Sequence, residues 1–288
     1  KMSRVHKPHR WQWLWLIPAA LLVWWPLWFL FMGALMSQEE LRLTIGPALG
    51  LGTGYTVWHL LPDWPTLEPL LTLLLDTPQF FVMFWNSIDQ SVAQVAGNLL
   101  VGAPAAWAIS RLRFRGRSMV RGLYIVLMLL PFQVTMVPSY LVLRQFGLLD
   151  TPWAIILPGI FSTFPVFIME RGFDTVPREV LESASIDGAN QWQRFWRIGI
   201  PLGIPGLISA LTLGFLDAWN AIEQPMTFLE SPQYWPLSLF FTDPANLDTK
   251  QLGLAMAASL WMLLPSILAF RFGQTYLEAG LTKGAVKG

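Results

Sequence analysis

Apolar residues fall in six long blocks along this 288-residue chain, with polar and charged residues gathered between them. A spanning helix needs roughly 20 mostly apolar residues, because the hydrocarbon core is ~30 Å thick and a helix rises ~1.5 Å per residue. The pattern predicts spans at 12–36, 85–109, 120–143, 153–170, 203–223 and 252–272. Residues 1–11 form a basic N-terminal segment ahead of the first block. That block is too long for the apolar region of a cleaved signal, and no A-x-A site follows it, so it reads as an anchor. The stretch 37–84 is rich in Gly and Pro and predicts a loop. Its Leu-rich part, 67–75, is too short to cross and is expected along the interface. Residues 85–288 then form one core carrying spans two to six.

Composition agrees with a protein that lives in lipid. Hydrophobic residues make up 54% and charged residues only 13%, with a mean hydropathy of +0.47, outside the range of ordinary water-soluble folds. Sixteen tryptophans suit the membrane–water boundary, where the ring is buried and the N–H stays wet. A net charge of +1 gives no field for nucleic acid. The absence of cysteine excludes disulfides, thiolate nucleophiles and zinc–thiolate sites. His6, His9 and His59 make no metal-ligand pair on a helix, and no Ser–His arrangement supplies a catalytic set.

Charge predicts the orientation. With both termini cytoplasmic, sixteen of the nineteen Lys and Arg residues lie inside, and only Arg42, Arg144 and Lys250 lie outside. The segment 37–84 then becomes an extracytoplasmic loop. The cluster Arg111, Arg113, Arg115, Arg117 and Arg121 is expected to anchor on anionic lipid.

The same orientation puts 171–202 in the longest cytoplasmic loop, and its pattern is that of a soluble protein. Pro177 suits a first helical position, Val180, Leu181, Ala184 and Ile186 form a stripe, and Gly188 suits a helix stop. A second short helix is predicted with Trp192, Phe195 and Trp196 on one side and Gln193, Arg194 and Arg197 on the other. By composition alone, this knob is either a connector lying in the headgroups or a docking element for a cytoplasmic partner.

NSI at 86–88, ESASIDGA at 182–189, FLDAWNAIEQPMTFL at 215–229 and the tail GLTKGAVKG follow one another along the chain, and this ordered set resembles the carbohydrate (maltose-system-like) permeases of ABC importers. The string ESASIDGA resembles their "EAA" loop, with Glu182, Ser183 and Ala184 at the E-A-A positions and Asp187–Gly188 at the D-G. The resemblance implies an all-α integral membrane protein with six transmembrane helices, a type I ABC importer permease bundle with cytoplasmic EAA coupling helices. It implies a bacterial inner-membrane location, an ATP-binding cassette ATPase dimer docked on the loop, a second related permease chain and an extracytoplasmic solute-binding protein. No GxxxxGK[ST] occurs here, so no cofactor is expected in this chain, and ATP and Mg²⁺ are expected on the partner ATPase.

Polar side chains inside the spans are costly in lipid and should face a cavity or another helix. Asn86, Gln90, Gln94 and Asn98 recur every four residues on span two, either as interhelical glue or as a solute contact. Asp217, Trp219, Asn220, Glu223 and Gln224 cluster near the end of span five, and the resemblance places Trp219–Asn220 by the solute passage. Gln94, Asn98, Trp219, Asn220, Glu223 and Gln224 are therefore the candidate path residues. Permeases for sugars often read W-N-D here, whereas this chain has Ala221. Glu223 is then free to accept sugar hydroxyls, bind a cationic group or seal a gate. A carbohydrate importer is the expectation; a permease of the same fold for another solute or for export, and a membrane scaffold that does not transport, are the alternatives.

Overall fold

The computed structural model describes residues 10–49, 55–57, 59–240 and 252–285, with side chains described for 14–48, 55–57, 59–240 and 252–278. The described residues are helical or irregular, with no strand among them. The remaining parts of the N-terminal segment and of the tail motif lie outside them. Five helical runs are long and apolar enough to cross a membrane, and a bent pair makes a sixth. The chain divides into two compact units, residues 1–80 with 241–263, and residues 81–240 with 264–288.

In the first unit, α1 (Arg10–Gly33) carries Pro18 and Pro26 within it, and every residue from Leu14 to Trp28 is exposed. A helix that is apolar on all sides and unpacked belongs in lipid. The expected loop 37–84 contains helices. Ser37 caps α2 (Gln38–Thr44), its hydroxyl accepting from Glu40 N–H at 3.3 Å. Met32, Met36 and Leu41 bury themselves here against Leu252 and Met256. The Leu-rich run forms α3 (Glu68–Leu71) and a π turn over Thr72–Asp76.

The second unit holds most of the rest; its first and last helices begin at Pro78 and Leu252, within the first unit's stretches of sequence. Helix α4 (Pro78–Arg111) starts seven residues earlier than the apolar pattern predicts, since Pro78 opens it and the run QFFVMFW continues it. The expected straight span 120–143 is two helices, α5 (Arg117–Leu129) and α6 (Phe132–Gln145), bent by 104° at the Leu130–Pro131 junction. Proline forces the residue before it towards extended backbone, and Leu130 sits at ψ 127°. The fourth span is a single run, Trp153–Asp174, interrupted without a sharp bend at 161–162 between α7 (Trp153–Ile160) and α8 (Thr163–Asp174). Helix α9 (Arg178–Ile186) follows. The predicted separate helix after Gly188 is instead the start of the fifth span: α10 (Gln191–Arg194), a π segment Phe195–Gly199 and α11 (Ile200–Trp219) run on without interruption for 29 residues. Pro201 and Pro205 do not stop it, because Pro201 lies in the first turn of α11, after the π segment. Helix α12 (Glu223–Phe228) and two short turns complete this part, and α13 (Leu252–Ala285) is the last span.

Packing in the second unit centres on α4, α8 and α11. Trp107, Met169, Phe173, Phe195 and Leu207 share one core. The backbones of α8 and α11 meet at Gly172 and Gly206: a Cβ on Gly172 would stand 2.6 Å from the Gly206 Cα. In a membrane, where lipid is as apolar as leucine, such small-residue contacts supply the close packing that holds helices together.

Candidate functional site

The polar knob is built by local backbone chemistry. Gly188 takes φ 84°, and the N–H groups of Gly188 and Ala189 return to Ser185 O (3.1 Å) and Ala184 O (2.9 Å). This double bond closes the C-terminus of α9 as a Schellman motif, which needs a residue able to adopt positive φ. Asn190 and Gln193 then form a reciprocal capping box that starts the next helix. Glu182, Ser183, Asp187 and Gly188 are exposed, Ala184 is half-buried, and a Cβ on Gly188 would meet nothing within 4 Å. The expected stripe is only partly buried: Leu181 and Ala184 turn inward, while Val180 and Ile186 stay exposed. In the following turn only Phe195 is buried, against Trp107 and Phe173, and Trp192 and Trp196 remain outside. The π segment at 195–199 turns Phe195 into the core and sets Gly199 against the Trp107 ring.

Beside the knob lies a cavity of about 730 Å³ lined by Arg111, Arg113, Arg117, Arg121, Arg178 and Arg194. Several of the guanidiniums expected on lipid turn inward instead. Arg111 donates to Phe173 O, in the last turn of α8, and to Val176 O, just beyond it. Arg117 donates to Ile109 O and Ser110 O, each at 2.6 Å, near the end of α4. Carbonyls at a helix C-terminus lack intrahelical donors, so these side chains close both ends. Arg121 pairs with Glu170, which is 3% exposed, and lies 3.6 Å from Asp174; Ser110 donates to Asp174 at 2.6 Å. Sequence reasoning missed Glu170, because nothing in its neighbourhood marks it as the partner of an arginine 49 residues away.

A second cavity, of about 980 Å³, opens among α4, α5, α6, α7, α8, α11 and α12. It brings together Gln94, Asn98, Asn220, Glu223 and Gln224 of the predicted path, with Asp217. Trp219 is the correction: its ring is 1% exposed, stacked on Phe215 and edge-on to Phe84, so it packs in the core and does not line the space. At a helix end, one residue separates a wall position from a core position, and Asn220 takes the wall. Gln133 donates to both oxygens of Glu223, at 2.9 and 2.7 Å.

The span-two stripe acts largely as glue. Asn86 donates to Gln233 O and Trp235 O, and Gln90 to Tyr234 O. Asn98 donates to Ile160 O at 3.0 Å and Ser162 O at 3.1 Å, the carbonyls left at the α7–α8 break. Asp150, also missed, is a clamp. Its carboxylate accepts from Glu230 N–H, Ser231 N–H and the Ser231 hydroxyl at 2.9, 2.7 and 2.5 Å, fixing the chain just after α12. The Ser231 hydroxyl above all holds this carboxyl below the ordinary range. In the first unit, Glu40, His59 and Asp63 place metal-ligating atoms within 4.8 Å of one another. Asp63 N–H donates to Glu40 Oε1 at 2.7 Å, so this arrangement also ties the loop to α2.

Residues 98–283 match the family described as binding-protein-dependent transport system inner membrane component. The chain is 32% identical to the Escherichia coli inner membrane ABC transporter permease protein YcjP, over 80% of this chain and 83% of that one. It is 28% identical to the arabinooligosaccharides transport system permease protein AraQ of Halalkalibacterium halodurans, over 79% and 81%. It is 31% identical to the diacetylchitobiose uptake system permease protein DasC of Streptomyces coelicolor, over 74% and 78%. A chain of a bacterial ABC transporter involved in the import of the acidic polysaccharide alginate shares the fold, with a TM-score of 0.74, 23% identity and coverage of 91% and 94%.

Proposed function

Because this chain belongs to the family of binding-protein-dependent transport system inner membrane components, we infer that it is the permease subunit that carries a carbohydrate through the bacterial inner membrane on energy supplied by a separate ATPase. Curated relatives named for arabinooligosaccharides, diacetylchitobiose and lactose support the solute class. The carrying observation is the unbroken helical run Gln191–Trp219. It begins in the knob, three residues after Gly188, and its last turn sets Asp217 in the cavity wall. At ~1.5 Å per residue it is a rod of about 43 Å, long enough to pass displacement at one end to the other.

In this reading both termini and the knob are cytoplasmic, as the distribution of Lys and Arg favours. Glu182, Ser183, Ala184, Asp187 and Gly188 dock into a cleft of an ATP-binding cassette ATPase dimer, which binds ATP and Mg²⁺. A second, related permease supplies the other half of the passage, and a solute-binding protein delivers the carbohydrate from outside. Closure of the ATPase dimer moves the knob, α10–α11 carries the movement, and the cavity opens to the solute. Hydrolysis resets it.

Mass spectrometry of proteins that co-purify from gently solubilised native membranes tests the assembly. An ATPase subunit and a second permease are expected. A chain that emerges alone, under conditions preserving such complexes, contradicts it.

A further inference from the structure

We propose that the cavity bounded by α11 and α12 sorts saccharides by charge, admitting neutral and amino saccharides and rejecting acidic ones, with Asp217 as the rejecting residue. The inference rests on the carbohydrate reading above and adds to it the class of carbohydrate.

The wall carries two carboxylates, Asp217 and Glu223, and no Lys, Arg or His among the described residues. Neither charge is cancelled. Asp217 makes no ion pair or hydrogen bond among the described residues, and its side chain is open to the cavity. Glu223 is held by the Gln133 amide, which orients the carboxylate without neutralising it. The other polar groups of the wall, among them Gln94, Thr135, Ser162 and Asn220, are uncharged.

A uronate brought into this space meets two like charges between low-dielectric walls, where repulsion is far less screened than in water. Among the described residues of this wall no guanidinium stands ready to receive it in the bidentate manner that acidic groups favour. Sugar hydroxyls, by contrast, donate readily to ionised carboxylates, and the ammonium of an amino sugar pairs with them. Discrimination of this kind works by a repulsive element against the wrong ligand as well as an attractive one for the right ligand. Six arginines of this unit line the other cavity instead, where several are engaged with carbonyls and carboxylates.

The test is equilibrium binding to the full chain, in nanodiscs with whatever subunits co-purify, at about pH 7.5, well above the ordinary carboxylate range. The probes are radiolabelled maltotriose, a glucosamine trimer and trigalacturonate. Maltotriose and the glucosamine trimer should bind at least about tenfold more tightly than trigalacturonate. Asp217→Asn should narrow that ratio to within about threefold, and Asp217→Glu should keep it. Equal binding of all three probes to the unaltered chain overturns charge sorting and leaves the carbohydrate reading standing. A ratio that Asp217→Asn does not move overturns the role of Asp217. Binding of none of the three overturns the carbohydrate reading and the sorting with it. If Asp217→Asn does not accumulate, the ratio measured on the unaltered chain decides alone.

Discussion

Two cavities are served by opposite ends of one helical run, and they use charge in opposite ways. At the Gln191 end, six arginines line a space in which Arg111 and Arg117 close helix ends, Arg121 binds Glu170, and Arg194 donates to Ser185. At the Asp217 end there is no cation among the described residues, and one carboxylate is without a partner. Paired charges hold a shape, because removing either partner leaves the other stranded. An unpaired charge in a cavity adds little to the fold and is available to a ligand. The first cavity is therefore read as structure supporting the knob, and the second as the place where the solute passes.

The largest break in that comparison should come from the contact that holds both ends together. Gly206→Leu would push a side chain into the backbone of Gly172, and overpacking there should cost about 3 kcal/mol or more. Both cavities should be lost at once, read as a collapse of folded chain in membrane extracts. Glu170→Gln should act on the arginine-lined cavity alone. Removing one member of a buried pair costs about 3–5 kcal/mol, but Arg121 is partly exposed and keeps Asp174 nearby, so about 2 kcal/mol is expected. A thermal-unfolding series on the purified chain would measure it. Asn98→Ala should touch only the other cavity. It strips the donors from Ile160 O and Ser162 O at the α7–α8 break, for about 1–2 kcal/mol.

The smallest effect should come from Asp150, which stands outside the spans and is only half-buried, so that solvent screens it. Its carboxyl titrates lower in the folded chain than in the unfolded chain. Its contribution is thus fully present above the unfolded value, near ~3.9, and is lost as pH falls through the lowered folded value. Ser231→Ala should weaken the dependence of unfolding temperature on pH between about 5 and 3, leaving neutral-pH solute binding unaltered.

Much of the fold was legible because apolar length is a coarse and strong signal. Each predicted span overlaps an observed one, and span two differs mainly in starting at Pro78. The breaks were not legible. Pro131 marks one, but Pro18, Pro26, Pro104, Pro138 and Pro205 lie inside helices that continue. A proline signals a missing donor, and whether the chain bends depends on what surrounds it. The knob was legible at Gly188, where positive φ favours glycine, and not at Trp192 and Trp196, whose facing depends on a π turn that periodicity does not encode. In the cavity wall, residue type pointed to Asn220 and Glu223 but could not separate them from Trp219 in the core. Polar residues in lipid must face something; a tryptophan can pack anywhere.

The account turns on the knob driving the cavity through one continuous helix, and Gly188→Trp addresses that link most directly. A Cβ at Gly188 would meet nothing within 4 Å, so the cost of the substitution within this chain is chiefly that of a positive φ. The added ring gives bulk to the docking surface, with Gly188→Asn as the control that tolerates the same backbone angle. The measurement is ATP-driven solute uptake in liposomes carrying the chain with its co-purified subunits. Uptake should fall by at least about 100-fold with Gly188→Trp, roughly 2.7 kcal/mol of lost coupling, while the chain still folds. Uptake within twofold of the unaltered chain would contradict the account.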